Sequence, residues 1–129
     1  MVVYERTFVV VIDDAHARFF RRSNSGELAE SLPGIALATG PRATPEANRQ
    51  ARLRFLNSVI DALGQACDTA QFERLVVVAP ERMLRLFRNK ASDKIRARQW
   101  RESAHETGGT TADDIKMLIE PYFIGVHER

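Results

Sequence analysis

Two adjacent carboxylates, Asp13 and Asp14, stand directly after the apolar run Thr7 to Ile12. Acids at a strand end are the residue type that holds divalent ions for metal-assisted phosphodiester cleavage, and that chemistry needs further carboxylates converging within a few ångströms. Here the apolar run Leu75 to Ala79 ends on Pro80, with Glu81 already inside the helical pattern that follows. Asp61 lies about four turns into a different helical pattern. The set is incomplete, and the pair reads better as an acidic turn. His16, His105 and His127 are scattered, and Cys67 is the single cysteine, so no metal-ligand spacing emerges. Cys67 falls on an apolar stripe, where a small hydrophobe is the ordinary explanation. Neither a Gly-x-Ser-x-Gly nor a Walker-type loop occurs. Gly108-Gly109 before a helix start would suit a phosphate, and a flexible turn into a capped helix explains it equally well.

The cations are more numerous and more clustered. From Arg82 to Arg101 eight bases (Arg82, Arg85, Arg88, Lys90, Lys94, Arg96, Arg98, Arg101) face Asp93 alone, whereas Glu102 to Arg129 carries six acids against Lys116 and Arg129. Arg42, Arg49, Arg52 and Arg54 form a second group offset by Glu46. Arg82 and Arg85 share one side of a helix, with Arg88 a turn further on. If the two groups converge they would hold a nucleic-acid backbone by phosphate contacts, with little sequence selectivity. Trp100, between Arg98 and Arg101, would add a stacking surface. The competing reading is a solvated face or a self-association surface.

A small set of elements must position these groups. The chain has 129 residues and a net charge of +2. That length suits one domain with a hydrophobic core and leaves little room for a second. A pI near 9 leaves room for an anionic partner. The lone cysteine suits a reducing compartment, and no apolar run approaches the roughly 20 residues of a spanning helix, so the chain is expected to be soluble and cytoplasmic.

Thr7 to Ile12 and Ala15 to Arg22 read as two strands joined by the acidic turn. Leu28 to Leu37, broken by Pro33 and Gly34, reads as a third strand near an edge. Gly40 to Pro45 is a loop, and a long helix starts near Pro45 with Leu53, Leu56, Ile60, Leu63 and Cys67 predicted inward. The unbroken run within Arg74 to Ala79 predicts a strand covered on both faces. Pro80 fits the first position of the helix that follows, to about Lys90, with Met83, Leu84 and Phe87 inward. Ser92 to Arg96 suggests a helical turn and Arg98 to His105 an edge strand. Thr110 and Thr111, three residues before Asp113 and Asp114, mark the start of a last helix. The predicted class is α/β, a mixed five-stranded sheet with helices on its faces, in the order β-β-β-α-β-α-β-α.

This order, with VVVIDDAHARFF at the hairpin and LVVVAPERMLRLFR after the long helix, resembles the bacterial family of proteins required for attachment to host cells, from about Thr7 to about Pro121. That family in turn resembles the middle domain of archaeal and eukaryotic peptide-chain release factors, a ribonuclease-H-like arrangement. The first metal-binding carboxylate of ribonuclease-H-like nucleases corresponds to the position of Asp13 and Asp14. In the release factors a Gly-Gly-Gln loop before the long helix promotes peptidyl-tRNA hydrolysis. The equivalent stretch here, Gly40 to Gln50, has no Gly-Gly-Gln, and Gln50 follows Arg49 inside the predicted helix, without the backbone freedom that two glycines give. The resemblance therefore implies an RNA- or ribosome-facing module rather than a hydrolase.

The resulting expectation is one domain over residues 1–129, more an interaction module than an enzyme, with RNA or the ribosome as partner. Its contact residues are Arg42, Arg49, Arg52, Arg54, Arg82, Arg85, Arg88, Arg98, Trp100 and Arg101; no cofactor, metal or membrane is called for. The alternatives are an oligomerising protein contributing indirectly to attachment and a metal-dependent nuclease built on Asp13 and Asp14.

Overall fold

The computed structural model describes residues 6–37 and 44–124. Two strands, β1 (Thr7–Ile12) and β2 (His16–Arg22), form the expected hairpin, and β3 (Leu28–Ala36) pairs antiparallel with β2. Helix α1 (Pro45–Asp68) leads to β4 (Arg74–Ala79), which lies parallel to β1. Helix α2 (Glu81–Lys90) and a single turn, α3 (Asp93–Arg96), return the chain to β5 (Gln99–Ala104), parallel to β4. Helix α4 (Ala112–Ile119) and a 3-10 turn (Glu120–Phe123) follow. The sheet order is β3-β2-β1-β4-β5, so the strand broken by Pro33 is at one edge and polar β5 at the other.

Continuous apolar runs form the middle of the sheet because both its faces are covered. Phe8, Val10 and Ile12 of β1 and Leu75, Val77 and Ala79 of β4 face one core with residues of α1, α2 and α3. Val9, Val11, Val76 and Val78 face a smaller core closed by Ile115 and Ile119 of α4. Among the described residues, one face thus carries three helical segments and the other α4 with the turn after it.

The Thr44 hydroxyl caps α1 by accepting the Ala47 amide at 3.0 Å, with Pro45 in the first turn. The inward stripe differs from the spacing-based expectation. Ala51, Phe55, Leu56, Val59, Ile60, Leu63, Ala66 and Cys67 are buried, and Leu53 is only partly covered. A helix packed on a sheet and flanked by α2 and α3 buries a wider arc than a row spaced by three and four, and the arc is turned toward Phe55 and Val59. Pro80 sits one position before the expected one. It is the cap of α2, still extended (φ −59°, ψ 151°), and its carbonyl accepts the Met83 and Leu84 amides at 2.9 and 3.0 Å. Thr111 and Asp114 form a reciprocal capping box at the start of α4. The predicted loop over Gly40 to Ala43, with Arg42, lies outside the described residues.

Candidate nucleic-acid interface

The sheet brings the end of β1 beside the starts of α2 and of the loop after β5, so Asp14, Arg82 and Glu106 meet. The Asp13 Oδ1 accepts the backbone amides of Ala15 at 2.7 Å and His16 at 2.6 Å, which is an acidic turn holding the hairpin. Asp14 takes two hydrogen bonds from Arg82, Nε to Oδ1 at 2.8 Å and Nη2 to Oδ2. Arg82 also donates to both Glu106 oxygens at 3.2 Å. The guanidinium stands where a cation bridging these acids would have to sit. Among the described residues no three His, Cys, Asp or Glu side chains are grouped to hold a metal ion.

The hydrogen bond from Arg82 holds the Asp14 carboxyl below its ordinary value of 3.8, with a smaller electrostatic contribution from Arg52 on α1. A carboxylate depressed in the folded state stabilises the fold above its ordinary pKa, and that contribution is lost as pH falls through the folded value, here below about pH 4. In a carboxyl-carbon NMR titration Asp14 should therefore titrate below the usual range, and Arg82→Gln should move it upward. An unchanged Asp14 midpoint in that variant would show that the ion pair does not persist in solution.

The arginine row on α2 is extensively paired. Arg88 donates to Glu102 at 2.9 Å (Nε) and 2.6 Å (Nη2) and reaches Glu81 at 3.4 Å, while Arg85 approaches Glu81 at 3.5 Å. On α1, Arg49 is bonded to Glu46. Of the α1 cluster, Arg52 adds a smaller electrostatic effect at Asp14, beside the hydrogen bonds from Arg82. Arg54 is exposed on α1 near Ile35 and Ala36 of β3.

A different surface forms along β5. Between the pairs Leu75–Gln99 and Val76–Arg101 the β4–β5 register slips by one residue, a bulge that sets Trp100 and Arg101 against Val76. The Arg101 guanidinium lies 4.3 Å from the Trp100 ring centroid, and that of Arg74 lies 4.4 Å from it. Phe123 tilts against Trp100 at 5.1 Å and itself carries Arg22 at 3.7 Å. Arg96 and Arg98 donate to backbone carbonyls of Arg88 and Lys94. Among the described residues Arg96, Arg98 and Arg101 have no carboxylate at ion-pair distance. Arg22 and Arg74 escaped the sequence reading. The signal lay in strand register, since Thr7 pairs with both across β1.

This arrangement is a release-factor-like α/β domain. Archaeoglobus fulgidus Pelota shares the fold at a TM-score of 0.60 and 10% identity, over 95% of this chain and 32% of that one. An archaeal translation termination factor, aRF1, matches at 0.54 and 6% identity over 94% of this chain and 39% of its own. An Aquifex aeolicus Ppx/GppA phosphatase matches at 0.53 and 18% identity over 82% and 38% respectively. At such identities the likeness is one of fold, and this chain spans only 32 to 39% of these proteins' lengths. The family described as protein required for attachment to host cells matches residues 35–118, and the chain belongs to that family. No curated protein matches it. No helix among the described residues is long and apolar enough to cross a membrane.

Proposed function

We propose that this protein is a non-catalytic, cytoplasmic module that associates with RNA or the ribosome through its basic surface. The observation that carries this reading is the margin of β5, where Arg96 and Arg101 line a recess beside Trp100 and, among the described residues, have no carboxylate at ion-pair distance. Cations left unpaired by their own protein are available to phosphates, whereas Arg82 and Arg88 would first have to release Asp14, Glu106 and Glu102. Arg52 and Arg54 on α1 are further candidates, Arg49 and Arg85 are paired with Glu46 and Glu81, and Arg42 lies outside the described residues. The fold shared with an archaeal translation termination factor is consistent with a partner in translation.

RNA retained by the purified protein should dissociate as salt rises, with log affinity falling by about 0.7 per log unit of salt for each single-strand phosphate contact. Salt-insensitive retention, or none at low salt, would overturn the proposal. The alternative, a self-associating attachment protein, draws on one apolar feature, Met117 and Ile124, which are 76% and 74% exposed. Sedimentation at rising protein concentration in high salt separates the two readings, because only an apolar interface persists there.

A further inference from the structure

We infer, resting on the RNA reading above, that the β5 surface selects single-stranded over duplex RNA by stacking a base on the Trp100–Arg101 tier. Along a regular strand, neighbouring side chains point to opposite faces. The bulge at Val76 cancels that alternation and leaves Arg101 over the Trp100 ring. Trp100 packs with the smaller core, against Phe123 and beneath Arg74, so the indole is held in place and ordering it on binding costs little. Arg101 is exposed and presents a planar cation with a phosphate-binding charge and a face on which a base can lie.

Beside this tier is an open recess of about 250 Å³ lined by Arg96, Gln99, Trp100, Arg101 and Glu102. It is too small for a double helix. Glu102 does not make it repel phosphate, because that carboxylate already receives Arg88 and the Gln99 amide. In an A-form duplex the base faces are covered by one another, and only phosphates and the shallow groove are offered. A site made of stacked planes is therefore wasted on a duplex and rewarded by unpaired bases, each worth about 1–3 kcal/mol on an aromatic platform.

Trp100 is the only tryptophan, so its fluorescence reports on this tier alone. The test is titration of the whole chain with an oligoadenylate of about 10 nucleotides, a blunt RNA duplex with the same number of phosphates, and an abasic strand of that length. The expected result is quenching by oligoadenylate alone and affinity about tenfold above that for duplex or abasic strand. Arg101→Gln, an exposed position, should remove most of that preference without changing the fold by circular dichroism. Equal affinity for all three probes without quenching would overturn the stacking tier and leave the RNA reading standing. Binding of none at low salt would overturn both.

Discussion

Replacing Arg98 and Arg101 together by Gln is expected to weaken binding of a short single-stranded RNA by about a hundredfold or more at low salt. Each charged hydrogen bond to phosphate is worth about 1.5–3 kcal/mol. The salt dependence should become shallower by about 1.4 log units per log unit of salt, two contacts at about 0.7 each. The matching pair on α2, Arg82→Gln with Arg88→Gln, should cost less than about threefold, because its donors are committed to Asp14, Glu106 and Glu102 and only a screened field is lost. Filter binding across a salt series measures both quantities. Equal losses in the two pairs would move the contact surface away from β5 and back to α2.

The largest stability effect is expected at Phe8. This ring is fully buried, stacks on Phe72 at 4.7 Å with 23° between planes, and lies between the sheet and α1. Phe8→Ala removes the ring and its stacking partner's contact and leaves a cavity that β1, paired on both sides, cannot close. The expected loss is about 3–5 kcal/mol, against a total of about 5–15 kcal/mol for a domain of ordinary stability. Urea unfolding followed by circular dichroism should show the midpoint shift with little change in slope. Leu53→Ala, at the partly covered position that helical spacing alone would have put in the core, should cost far less. A loss at Leu53 equal to that at Phe8 would contradict the rotated arc of α1.

The difference between Leu53 and Phe8 illustrates what a sequence exposes. β1 and β4 were legible because a strand buried on both faces needs no partner to be recognised, and the turn at Asp13 and the cap at Thr111 are local chemistry. The arc of α1 was legible only in part, since its width depends on α2 and α3, which approach from elsewhere in the chain. The site was less legible still. Arg82 meets Asp14 across 68 positions and Glu106 across 24, and no local pattern states that these charges will cancel. Trp100 and Arg101 read as occupants of opposite strand faces until the register slip at Val76 turns them together. Arg74 joins them only through the parallel pairing of β1 with β4 and β4 with β5.

The two edges of the sheet are guarded by different means. On the β3 side Pro33 lacks an amide hydrogen, so another strand cannot pair there without a gap. β5 contains no proline, and its protection is charge from Arg101 within it and Arg98 just before it, which discourages copies of the chain from joining edge to edge. Resistance to aggregation and affinity for an anionic partner thus draw on the same side chains. A chain stripped of these arginines would keep its fold yet gain a route to intermolecular strand pairing, so the penalty would surface as lost solubility rather than as a lower melting temperature.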